Sequence, residues 1–171
     1  MNLTFKIEQI AIAPINPVAA RLLLNRIFPI TKPWTEDTVH AKGTVAGIGD
    51  EENVADLAFN YEMMPGVEFE VLDYIEGENF VDDATNGTRN IVSHFGTHCK
   101  EEELNEWKAF FDSIGVSIVQ EVWTQHHTSE YLQQKGRKYH YCIFGTRDLI
   151  GTDLKFIVRI EKDAQSPSEN V

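Results

Sequence analysis

Four polar side chains set in otherwise apolar strand-like runs have the types and spacing for chemistry: Gln9, Glu70, His94 and Lys155. Gln9 and His94 stand 85 positions apart, and so do Glu70 and Lys155. The runs around them match at the same offset. Ile7-Glu8-Gln9-Ile10-Ala11-Ile12-Ala13 lies over Val92-Ser93-His94-Phe95-Gly96-Thr97-His98, and Val67-Glu68-Phe69-Glu70-Val71-Leu72 lies over Thr152-Asp153-Leu154-Lys155-Phe156-Ile157. A duplicated unit brings equivalent positions together around a pseudo-twofold axis, so the four side chains are expected to converge on one cleft. A neutral imidazole, an amide carbonyl and a carboxylate are plausible ligands for a divalent metal. An ammonium is not. Burying Glu70, with Glu68 on the same strand face, requires a neutralising cation. That cation is either a metal or Lys155. If both were present they would repel, and a lysine whose charge is suppressed beside a metal would serve as a base.

The elements that must position these residues are legible from periodicity. Residues 5–13 alternate as a strand, and Asn16-Pro17 starts a helix, Asn as the cap and Pro at the first helical position. Val18, Leu22, Leu23 and Ile27 recur at helical spacing, and Pro29 and Pro33 stop the helix. Strands are expected at 38–45, 53–61 and 67–75, with turns at Gly47-Ile48-Gly49-Asp50 and Pro65-Gly66. The second half repeats the order. A strand over 91–99 leads to a helix over 100–114 with three glutamates in its first turn, then strands over 116–124, 139–145 and 154–161. The helix buries Leu104, Trp107, Phe111 and Ile114, and Gly115 ends it. The division expected is a first βαβββ module over 1–78, a linker over 79–90, a second module over 91–162 and a disordered tail over 163–171. Residues 125–137 read as a polar loop or short helix.

This order and these strands resemble the vicinal oxygen chelate superfamily, the fold of glyoxalase I, methylmalonyl-CoA epimerase, extradiol dioxygenases and bleomycin-resistance proteins. The resemblance covers roughly residues 5–161. Residues 7–12 resemble the opening strand whose third residue is a metal ligand, often His and sometimes Gln. Ser93-His94-Phe95-Gly96-Thr97-His98 resembles the H-[LI]-[GA]-[IF]-x-V strand that opens the second module, and Glu70-Val71-Leu72-Asp73-Tyr74 resembles the E-L-L-x-[PY] strand that closes the first. The closing strand of the second module should supply a Glu four residues after its turn glycine. Here the glycine is Gly151 and the residue is Lys155.

The resemblance implies an α+β fold of two βαβββ modules whose curled mixed sheets surround a shared cleft. It implies a divalent metal (Zn, Ni, Mn or Fe) on Gln9, Glu70 and His94. The activity implied is that of a lyase or isomerase of glyoxalase or epimerase type acting on a small molecule with vicinal oxygens. Glu70 and Lys155 are then the candidates for moving protons. The alternative is a metal-free, drug-sequestering protein whose Lys155–Glu70 pair fills a vestigial site. A homodimer is implied by the resemblance alone, and whether the modules close one cleft within a chain or swap between two stays open.

The remaining histidines carry weaker expectations. His98 lies about 13 Å beyond His94 along a straight strand, too far to share an ion. Adjacent His126 and His127 point apart in a polar segment and are expected to face solvent. His140 is a candidate to line the cleft in place of the missing ligand. Trp123, Tyr131, Tyr139 and Tyr141 are candidates for pocket walls or core. A net charge of −12 over 171 residues, with no Lys/Arg cluster, argues against nucleic acid or an anionic membrane as partner. Two cysteines make no disulfide framework. With no signal peptide and no apolar stretch long enough to span a bilayer, a cytoplasmic protein is expected.

Overall fold

Local chemistry decides where the first helix begins. Asn16 Oδ1 accepts the backbone N–H of Ala19 at 2.9 Å, and Pro17 occupies the first position of α1 (Pro17–Ile27). In the computed structural model, which describes residues 3–160 apart from the side chains of Glu51, Tyr131, Gln134 and Lys135, α1 follows β1 (Gln9–Ala13). It leads into β2 (Thr35–Val45), β3 (Ile48–Met64) and β4 (Val67–Glu76). The second half runs β5 (Ile91–Cys99), α3 (Glu101–Ser113), β6 (Ile118–His127), α4 (Glu130–Lys135), β7 (Lys138–Phe144), α5 (Arg147–Ile150) and β8 (Asp153–Ile160). The expected tail, Glu161 and the side chain of Tyr131 lie outside the described residues. Among the described residues, no helix is long and apolar enough to cross a membrane.

The stretch expected to be a linker carries a helix, α2 (Phe80–Thr85), capped by Asn79. Its polar composition hides two apolar residues, Phe80 and Val81, which are buried with Ala13, Leu72 and Ile143 and plug one end of the barrel. The first helix departs from expectation in the other direction. None of its residues is buried, and Val18, Leu22, Leu23 and Ile27 stay exposed because α1 only grazes β4. In contrast, α3 packs Leu104 and Phe111 onto the outer face of β7 and β8, against Cys142, Phe144, Phe156 and Val158. Trp107 lies over Phe111 and Phe156 at the same place, whereas Ile114 remains exposed.

All eight strands form one closed barrel in the order β1-β4-β3-β2-β6-β7-β8-β5. The halves meet along two antiparallel seams, β1 with β5 and β2 with β6, so a single chain closes its own cleft. The registers obey the offset read from the sequence. Gln9 faces Gly96 as Ala11 faces His94, and the parallel pairs Ala11–Glu70 and Gly96–Lys155 are equivalent. The second seam needs a glycine. Gly43 faces Val122, and a Cβ there would stand 2.1 Å from the Glu121 carbonyl oxygen.

Candidate functional site

Alternation along β1, β4, β5 and β8 turns Gln9, Glu70, His94 and Lys155 inward, and the barrel brings the four together as the repeat requires. All four are buried, Glu70 and His94 almost completely. His94 Nε2 lies 2.9 Å from Gln9 Oε1 and 3.5 Å from Glu70 Oε2. Lys155 Nζ stands 3.7 Å from Glu70 Oε2 and 4.7 Å from the centroid of the Tyr141 ring. Gly96 makes the room: a Cβ at that position would sit 2.8 Å from Gln9 Oε1.

A chain of hydrogen bonds fixes the orientation of Gln9 and His94. The Gln9 amide donates to Glu68 Oε1 at 2.6 Å, and the Tyr61 hydroxyl donates to the other Glu68 oxygen. With the amide nitrogen held by Glu68, the Gln9 carbonyl must face His94, so His94 Nε2 carries the proton that Gln9 accepts. His94 Nδ1 then accepts from the Ser93 hydroxyl at 3.0 Å. Burial, aided by the ammonium of Lys155, pushes the His94 pKa down to about 4, so the ring is neutral at physiological pH. Glu70 is pulled the opposite ways by its surroundings. Burial favours its neutral form, but Lys155 and His94 outweigh burial and hold its carboxyl below the usual range. Burial keeps the Glu68 carboxyl above the usual range, and burial together with Glu68 raises the pKa of the Tyr61 hydroxyl.

The three oxygen and nitrogen donors are close enough together to surround one ion. The fourth position does not fit one. A divalent ion there would face the Lys155 ammonium across a few ångströms, and the single full negative charge of Glu70 is already balanced by that ammonium. Among the described residues, no group of three or more His, Cys, Asp or Glu side chains is arranged to hold a metal. Neither Glu70 oxygen receives a hydrogen bond from the described residues.

Gln9, Glu70 and Lys155 form the floor of a cleft of about 620 Å³, within the range of small-molecule sites, and His94 lies behind them on Gln9 and Glu70. Its walls are largely apolar and aromatic, with Phe59, Leu57, Tyr139, Tyr141 and Ile157 contributing. Two expectations about histidines are corrected here. His140 faces outward, stacked on Trp123 with its nitrogens on Glu101 and Glu121, because neighbours in a strand alternate and Tyr139 and Tyr141 take the inward face. His127 is not solvent-exposed: β6 continues to it and turns it into the cleft, against Asp37. His126 is exposed, stacked on His40. His98 lies at the rim of the cleft, beside Glu8. Asp37 and Tyr61 were not singled out by sequence reasoning, since neither has a partner at the 85-residue offset.

No protein-family model matches the sequence, and no curated protein sequence matches it. Solved structures do. Methylmalonyl-CoA epimerase from Mycobacterium tuberculosis superposes with a TM-score of 0.56 over 93% of this chain and 91% of its own, at 11% identity. A hypothetical protein from Bacillus halodurans C-125 gives a TM-score of 0.50 over 93% of this chain and 97% of its own, at 14% identity. Element order, the closed eight-stranded sheet and these superpositions together show that the chain has the vicinal oxygen chelate fold.

Proposed function

We propose that the protein is a metal-free small-molecule-binding protein, in which the Glu70–Lys155 pair stands where a vicinal oxygen chelate enzyme would hold a divalent ion. The observation that carries this reading is the 3.7 Å contact between Lys155 Nζ and Glu70 Oε2 at the base of the aromatic cleft. A divalent ion would require that ammonium to leave or give up its proton. Displacing it forfeits its attraction to Glu70, about 4 kcal/mol at 3.7 Å and an effective dielectric of 20, or about three orders of magnitude in affinity. The ligand is a flat, largely apolar molecule, because apolar side chains and the rings of Phe59, Tyr139 and Tyr141 supply most of the wall and every acid in the cleft already has a partner on the chain.

One observation favours a second reading. Among the described residues the Glu70 oxygens have no hydrogen-bond partner, as those of a carboxylate reserved for a cation would not. In that case Gln9, Glu70 and His94 would hold the metal once Lys155 had moved aside, and a metal there would supply Lewis acidity for lyase or isomerase chemistry on a substrate with neighbouring oxygens.

Elemental analysis of purified, untagged protein, with thermal melts with and without chelator, decides between them. The expected result is no stoichiometric metal and a melting temperature unmoved by chelator, Zn, Ni, Mn or Fe(II). A stoichiometric transition metal with a melt lowered by chelation would overturn the metal-free reading and direct the work to isomerase and lyase assays.

A further inference from the structure

Away from the Glu70–Lys155 floor, the same cleft holds a second ionisable pair. Strands β2 and β6 bring Asp37 and His127 together across their seam, with Val39 opposite His127. The Asp37 side chain is completely buried. Its Oδ2 lies 2.6 Å from His127 Nδ1, and its Oδ1 accepts the backbone N–H of Ser129 at 2.8 Å. A carboxylate can only accept, so Nδ1 carries a proton, and in the neutral form of the ring the lone pair is on Nε2. His127 is 4% exposed, and its Nε2 is buried with no hydrogen-bond partner among the described residues.

Both residues line the cleft. The His127 ring meets Tyr139 edge-on at 6.0 Å, Tyr139 stacks with Tyr141 at 5.7 Å, and Tyr141 lies under the Lys155 ammonium. One wall therefore runs as a row of rings from the ion pair to the imidazole. A buried acceptor without a donor is costly unless something supplies one. We infer that Asp37 and His127 form a ligand-recognition dyad: His127 Nε2 accepts a hydrogen bond from an O–H or N–H group of a flat apolar ligand lying along Tyr139 and Tyr141. Asp37 is a positioning residue that fixes the tautomer and holds the ring. The inference rests on the cleft being a ligand site, and it holds whether or not the floor takes a metal.

Matched probes test it. Indole and 2-naphthol bring a donor; 1-methylindole and 2-methoxynaphthalene have nearly the same shape without one. Titrations of the full chain, labelled with ¹⁵N-histidine, read both affinity and the His127 ring nitrogens. The expected result is that each donor binds about tenfold or more tightly than its methylated partner and shifts the His127 Nε2 resonance, one hydrogen bond's worth of discrimination. His127→Phe and His127→Gln, each checked by thermal melt for folding, abolish the ratio. Asp37→Asn shrinks it and alters the tautomer reported by Nδ1. Equal affinities within both pairs, or a preference that survives a folded His127 variant, overturn the dyad alone. No binding by any of the four at millimolar concentration overturns the dyad and the reading of the cleft together.

Discussion

Replacing Lys155 with glutamate removes the ammonium beside Glu70 and sets a fourth donor opposite Gln9, Glu70 and His94. Without metal the change is destabilising. At 3.7 Å the Glu70–Lys155 attraction is about 4 kcal/mol at an effective dielectric of 20. Breaking one side of a buried pair ordinarily costs about 3 to 5 kcal/mol. For a chain of 171 residues each kcal/mol moves the melting temperature by about 2 to 4 °C, so Lys155→Glu should melt roughly 6 to 20 °C lower. With a divalent ion the order reverses. Two carboxylates neutralise the ion, and the cost of displacing the Lys155 ammonium from Glu70, about 4 kcal/mol, vanishes, so affinity for Zn or Ni should rise by about three orders of magnitude. Metal at about a thousand times its dissociation constant then returns roughly 4 kcal/mol and restores most of the melting temperature. Calorimetric titration of both proteins with ZnCl₂ and NiCl₂, with melts in metal and in chelator, reads each term. A wild-type protein that already binds one equivalent of metal as tightly as Lys155→Glu would refute the reasoning that the ammonium blocks the site.

Three further outcomes follow from the same geometry. His94 has its pKa lowered to about 4 in the fold against about 6.5 unfolded, so the unfolded chain binds more protons between those values. Stability is therefore complete above about pH 6.5 and lost as pH falls toward 4; urea unfolding at pH 7.5 and 5 should differ by about 2 kcal/mol from this group, a difference that His94→Gln should remove. Gly43→Ala pushes a Cβ into the Glu121 carbonyl at 2.1 Å, where only the backbone of the seam can yield. It should destabilise by about 3 kcal/mol or more and speed amide exchange along β2 and β6. Gly96→Ala presses on the flexible Gln9 side chain instead, so a smaller loss of about 1 to 3 kcal/mol is expected. That loss should come with faster exchange of the His94 Nε2 proton that Gln9 accepts.

What the sequence revealed of the site depended on the duplication. The 85-residue offset is reproduced pair for pair in the strand registers, and it identified Gln9, Glu70, His94 and Lys155 as neighbours although no local pattern connects them. Where symmetry is broken, the sequence is silent or misleading. β6 shifts register between His40 and Ala41 of its partner strand, and that irregularity lets it run on to His127. Counting alternation through residues 125–137 without the shift leaves His126 and His127 as a polar pair in a loop, because polarity reports average exposure and cannot report a bulge. Asp37 is equally hidden, since an acid at the start of a strand looks like solvated edge until its histidine is placed beside it. Phe80 and Val81 show the same effect, two apolar residues in a polar stretch that close the barrel end. The departures from the repeat therefore concentrate where the cleft is specific to this chain. Lys155 alters the floor, His127 adds an acceptor to the wall, and α2 seals the end, while the shared registers hold all three around a single cavity.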